Sequence, residues 1–162
     1  MLRAALVIAS IAWPLLLGAA LWQRVHHRTP LLTSAVYMSA STICHRLPDR
    51  SFHTAGAQWP VCGRCSGLYL GAPVGAMIAI AVRRRRRGDS AGDAWLLALS
   101  SAPAFVTVAL EWLHVYDVGN VGRLVTALPL GAAILVVIMG VVDRLAGHGA
   151  AGKVTEGRGQ DV

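Results

Sequence analysis

Charge is scarce in this sequence. Only 14% of its 162 residues are Asp, Glu, Lys or Arg, against about 25% in an average soluble domain. Cysteine is nearly absent as well, with three in the whole chain. The shortage of charge argues against a soluble helical bundle, because helices that meet water need a polar face. What fills the chain instead is apolar: 55% of residues are hydrophobic, and they come in long runs. A hydrocarbon core of about 30 Å takes about 20 helical residues to cross. Residues 4–22, 61–82, 94–113 and 121–142 approach or reach that length, each nearly free of charge in its middle. The expected fold is an all-α integral membrane protein with about four transmembrane helices.

The stretches between the runs are less uniform. The first run follows Arg3, and a cleaved signal peptide ending at the small residues Gly18, Ala19 and Ala20 is one reading of it. Its length, and Trp22 with Arg24 at its end, favour a retained span. Residues 31–47 are moderately apolar and rich in Ser and Thr. Leu32, Val36, Ile43 and Leu47 fall on one side of a helical wheel, and Ser34, Ser41 and His45 on another. That pattern predicts a short interfacial or re-entrant helix, with a full span as the alternative. Residues 48–60 read as a polar loop. The run 61–82 opens after Pro60, a helix-starting residue, and carries Gly63, Gly67, Gly71 and Gly75. Residues four apart stack on one helix face, so these glycines form a stripe that lets a second backbone approach closely. Residues 1–145 thus read as a single transmembrane domain, and the Gly-rich, polar 146–162 as a disordered tail.

The net charge of +7 invites a nucleic-acid reading, but position argues otherwise. Five arginines run together at 83–87, directly after an apolar span, as a cytoplasmic anchor does. The expected partner is the lipid bilayer, with anionic headgroups beside the arginines, and not nucleic acid. A homo-oligomer stays open. With the run in the cytoplasm, nine basic residues fall inside (Arg3, the five of the run, Arg144, Lys153, Arg158) and six outside. The same topology, in a bacterial inner membrane, carries Cys62 and Cys65 to the extracytoplasmic face. Glu111, His114, Asp117, Asn120 and Arg123 arrive there too.

All three cysteines fall in one pattern, Cys44-His45, then Cys62-x-x-Cys65. Zinc takes four tetrahedral ligands, usually Cys and His. Cys44, Cys62 and Cys65 supply three, and His45 or His53 the fourth, with iron as the second choice of metal. The spacing is not that of a zinc finger, and Ser66 stands where a haem-attachment motif needs His. A thiol redox pair is the second reading. Cys62 and Cys65 lie at a predicted helix N-terminus beside Arg64, and both features favour the thiolate. The extracytoplasmic side also permits disulfides. Three structural thiols are the third reading. Arg50, Arg64, Glu111, Asn120 and Arg123 surround the cluster as supporting residues, and Glu111 is read as a fourth ligand, a proton carrier or an ion-pair partner of Arg64 or Arg123.

The segment from Cys44 to Gly71 reads C-H-R-L-P-D-R-S-F-H-T-A-G-A-Q-W-P-V-C-G-R-C-S-G-L-Y-L-G. It resembles an uncharacterised family of small prokaryotic predicted membrane proteins, a domain of unknown function. That family carries Cys-His, Arg-Ser-Phe, and Pro-x-Cys-x-Arg-Cys-x-Gly-x-Tyr-x-Gly. Residues 120–131, N-V-G-R-L-V-T-A-L-P-L-G, are similar to its second motif. Arg46 stands where family members often have Gln, and Ala127 where Gly is usual. The resemblance implies a membrane protein and groups Cys44, His45, Cys62, Cys65, Arg64 and Arg123. It implies no activity.

Overall fold

A computed structural model describes the backbone of residues 1–26, 30–82 and 90–157 and the side chains of 1–26, 31–82 and 91–146. The arginine run 83–87 lies outside the described residues. The chain forms α1 (Leu2–Val25), α2 (Pro30–Ser41), a 3₁₀ turn (Pro48–Arg50), strands β1 (Ser51–Thr54) and β2 (Ala57–Cys62), then α3 (Gly63–Val82), α4 (Ser90–Trp112) and α5 (Gly119–Gly157). Four helical segments are long and apolar enough to cross a membrane: Leu2–Val25, Gly63–Val82, Ala91–Trp112 and Gly119–Ala146. Their outward Leu, Ile, Val, Phe and Trp side chains, such as Ile8, Leu15, Ile80, Leu99 and Phe105, are exposed, as they are when lipid rather than protein is the neighbour. Each of the four contains a proline (Pro14, Pro73, Pro103 or Pro129), which membrane helices tolerate.

The centre of the molecule is the pairing of α3 with α5, the most extensive helix contact in it. The predicted glycine stripe makes that contact. A Cβ added at Gly67, Gly71 or Gly75 would overlap the backbone oxygen of Leu124, Leu128 or Ala132, and one at Gly63 would lie 2.7 Å from the Asn120 oxygen. Gly131 of α5 returns the fit, facing the Leu68 carbonyl. Without an aqueous hydrophobic effect between helices, such close backbone packing is a main source of association. On one side α1 packs against this pair, with Leu6 and Val7 against the buried Ala76, Leu135 and Met139. On another, α4 packs along α5.

Three expectations need correction. The helix in 31–47 is short, as the leading expectation had it, but it ends at Ser41 instead of continuing to 47; at 12 residues it is too short for the full-span alternative. Its buried side is Val36, Tyr37 and Ala40, whereas Leu32, Ile43 and Leu47 stay exposed. The hydroxyls end it: Ser41 donates to the Met38 carbonyl at 2.7 Å and Thr42 to Ser39 at 2.7 Å, competing with the next helical turn. Second, 48–60 is not a plain loop but contains an antiparallel hairpin pairing Ser51 with Cys62, His53 with Gln58 and Thr54 with Ala57. Its turn holds Ala55 (φ 49°) and Gly56 (φ 76°) in the left-handed region, as two-residue hairpins require. With Ala where Asn or Asp is preferred, the turn carried a weak signal. Third, Pro60 belongs to β2, and α3 opens at Gly63. Where the tail was expected, α5 continues helical as far as Gly157.

Gly71→Ala forces α3 and α5 apart and should cost about 1–3 kcal/mol, read as a lower midpoint of unfolding of the purified protein in detergent. Gly18→Ala, where an added Cβ meets nothing within 4 Å, should leave the midpoint where it is. Equal effects of the two would contradict the packing role of the stripe.

Candidate metal centre

The topology puts the C-terminal ends of α1 and α4, the N-terminal ends of α3 and α5, α2 and the hairpin at one end of the bundle. Each thiol arrives there by a different route. Cys44 follows α2, its N–H bonded to the Ala40 carbonyl at 2.9 Å, and it is buried among Leu17, Ala20, Val36, Tyr37 and Val61. Cys62 closes β2, and Cys65 lies in the first turn of α3. The hairpin is held to the α2 side by Tyr37, which donates to the Gln58 carbonyl at 2.7 Å, and by Gln58, whose side-chain amide donates to the Arg46 carbonyl at 2.7 Å. Tyr37 is flanked in turn by the guanidinium groups of Arg24 and Arg46, 4.8 and 5.6 Å from its ring centroid, within cation–π range.

These supports bring the three sulfurs within 4.8 Å of one another. All three cysteines are free. The Cys62 N–H donates to the Cys44 sulfur, 3.3 Å away. Hydrogen bonding from the Cys65 side chain holds the Cys62 thiol down at about 5, against burial that pushes it up. The Cys65 backbone N–H, the Cys44 side chain and the Arg64 N–H add to the effect. Three convergent sulfurs, one of them a thiolate at neutral pH, could hold a metal ion.

His45 lines the same cavity of about 240 Å³ as the three thiols, together with Arg46, Arg50, Arg64 and Arg123, but it is exposed and its ring nitrogens are not part of the close group. His53, on β1, is exposed and does not line that cavity. Of the supporting residues, Arg64, Glu111, Asn120 and Arg123 form an ionic clamp that Arg50 does not enter. Glu111, at the end of α4, accepts from Arg64 Nη2 at 2.8 Å and from Arg123 Nε at 2.9 Å. Arg123 is 4% exposed and uses every guanidinium nitrogen: Nη1 reaches Asn120 Oδ1 at 3.0 Å and the Asp49 carbonyl at 3.4 Å, and Nη2 reaches Asp117 Oδ1 at 2.9 Å. The Gly119 N–H, with Arg123, holds the Asp117 carboxyl below the usual carboxylate range. Asn120 also donates to the Ser51 carbonyl at 3.0 Å, tying α5 to the hairpin. Asp117 was expected at this face with Glu111 and Arg123; Asp49 is the addition, and it joins through its backbone carbonyl, which its residue type does not signal. Of the roles considered for Glu111, the ion-pair partner is the one observed. His114 lies beyond the end of α4, at φ 54°.

Residues 44–137, more than half of the chain, match the protein family described as predicted membrane protein (DUF2085). An uncharacterized protein of Methanothermobacter thermautotrophicus is 34% identical over 101 residues, covering 62% of this chain and 88% of that one. A second uncharacterized protein, from Methanocaldococcus jannaschii, is 28% identical over 108 residues, covering 67% and 69%. No solved structure matches.

Two outcomes test this geometry. In metal-free protein, alkylation of Cys62 tracks its thiolate, which exists above about pH 5 and is lost as pH falls through that value. Its rate should change less than about twofold between pH 6 and 8, where an ordinary thiol gains about a hundredfold; mass mapping of the alkylated site reads it. Glu111→Gln strips a charge from a buried pair and should cost about 3 kcal/mol, the low end for such a loss because Asp117 still faces Arg123. Denaturant titration in mixed micelles measures it.

Proposed function

This chain belongs to the DUF2085 family of predicted membrane proteins, and from that membership and its gathered thiols we propose that it is a metal-binding protein of the cell's inner membrane. The observation that carries the reading is the approach of the Cys44, Cys62 and Cys65 sulfurs to within 4.8 Å of one another. Tetrahedral zinc with Zn–S bonds of about 2.3 Å sets its sulfurs roughly 3.8 Å apart, and small side-chain rotations reach that spacing. Thiolates and imidazole are soft and borderline ligands, which suits zinc first and iron second. His45, on the wall of the same cavity, is the proposed fourth ligand. The Arg64–Glu111 ion pair steadies the helix turn that presents Cys65 and, through Arg64, keeps a cation beside the thiolates. We place the arginine run 83–87 in the cytoplasm by the positive-inside rule, and with it the thiol-bearing end on the extracytoplasmic side.

Protein purified in chelator-free buffer should carry about one metal ion per chain by elemental analysis. Cys44→Ser and Cys62→Ser should each lower that content severalfold, and His45→Ala should lower affinity less than either. Metal-free preparations from zinc- and iron-supplemented cells that take up no ion on titration would rule out the reading. A second reading has one observation in its favour, the low pKa of Cys62: a thiol–disulfide oxidoreductase using Cys62 and Cys65. It expects a trapped mixed disulfide at Cys62 in a Cys65→Ser variant, which a metal centre does not produce.

A further inference from the structure

A second cavity opens at the same end of the bundle, and the thiols do not line it. It measures about 510 Å³ and is walled by Arg50, Arg64, Val108, Glu111, Trp112 and His114. Its walls have hydrogen-bond donors to spare. Arg64 gives Nη2 to Glu111, but its Nε is buried without a partner, a condition that costs free energy until something accepts from it. Arg50 is exposed and enters none of the ion pairs among the described residues. The one acid in the wall, Glu111, has an oxygen on Arg64 and the other on Arg123. Counting the wall alone, two arginines against one carboxylate leave a charge of +1.

The depth of the cavity narrows the choice of anion. Trp112 is 86% exposed at the C-terminal end of the span Ala91–Trp112, the position that tryptophan takes at the headgroup level of a bilayer. Val108, one turn deeper, gives the cavity an apolar floor toward the acyl region. The adjoining cavity shares Arg50, Glu111 and His114 with this one and adds Asp49, Asp117 and Arg123; two arginines against three carboxylates leave it at −1, so an anion is favoured on the Trp112 side. Planar guanidinium groups pair well with phosphate oxygens.

We propose that the cavity between Arg50, Arg64 and His114 binds a phosphate group, supplied either by the headgroup of an anionic phospholipid or by free inorganic phosphate. The proposal does not depend on the metal reading, because no thiol lines this cavity.

The test uses the delipidated full chain in neutral detergent. Native mass spectrometry follows added phosphatidylglycerol, with phosphatidylcholine as the uncharged comparison, and inorganic phosphate is titrated against chloride at matched ionic strength. One phosphatidylglycerol held in preference to phosphatidylcholine, and weakened about tenfold in Arg50→Gln and in His114→Ala, identifies a lipid headgroup site. Saturable inorganic phosphate binding with the same sensitivity, and no lipid preference, identifies a soluble phosphate site. Cys62→Ser should bind as the wild type does, so a failed metal centre and a failed phosphate site are told apart. Neither probe preferred over its comparison would overturn the proposal. So would binding unchanged in both Arg50→Gln and His114→Ala, since anionic lipid held elsewhere, as at the arginine run, is indifferent to these two positions.

Discussion

Helices α3 and α5 lie so close that no side chain fits between them, and the rest of the structure follows from that approach. Carbonyl oxygens of Leu124, Leu128 and Ala132 occupy the space that a Cβ at Gly67, Gly71 and Gly75 would need. In water, apolar burial could hold two helices at a looser distance. In lipid the driving force is packing itself, so contact at backbone range is what fixes the pair. Because the stripe runs the length of α3, it also sets the axial register. Gly63 meets Asn120, and thereby the first turn of α3, with Arg64 and Cys65, comes level with the first turn of α5, with Asn120 and Arg123.

That register creates an electrostatic problem, and α4 answers it. Arg64 and Arg123 are brought to the same end of one helix pair, with Arg123 almost wholly buried. A buried guanidinium needs both charge and acceptors around it. Glu111 supplies the charge to both arginines at once. Asp117, Asn120 and the Asp49 carbonyl complete the acceptors of Arg123. The clamp therefore joins α3, α4, α5 and the segment before the hairpin through two side chains, Glu111 and Arg123. It also explains why one end of the bundle is chemically rich: the ionic groups that stabilise the fold there are the same groups that border the thiols.

At the opposite end Arg3 pairs with Asp143 and Arg144 with Asp93, each at 2.7 Å. One end pairs its described charges locally. The other holds three free thiols, a buried arginine network and cavities whose walls share Arg50. Arg64 lines both the thiol cavity and the cavity of about 510 Å³ beside Trp112.

The sequence by itself determined the membrane assignment, because span length and scarcity of charge are properties of consecutive residues. It determined the α3 interface as well, since a glycine at every fourth position marks a helix face whatever the partner is. The grouping of Cys44, Cys62 and Cys65 was legible as a motif. What the sequence left open was the geometry of that motif, which depends on residues far apart in the chain. The hairpin that delivers Cys62 has an Ala-Gly turn with little local signal, and it is held by Tyr37 and Asn120 from two other helices. The buried face of α2 is chosen by α1 and the hairpin rather than by hydrophobicity, so the helical wheel misjudged it. Glu111 had three roles open to it, and only the tertiary structure, by bringing Arg64 from 47 residues away and Arg123 from 12, decided that it is the counter-ion of both.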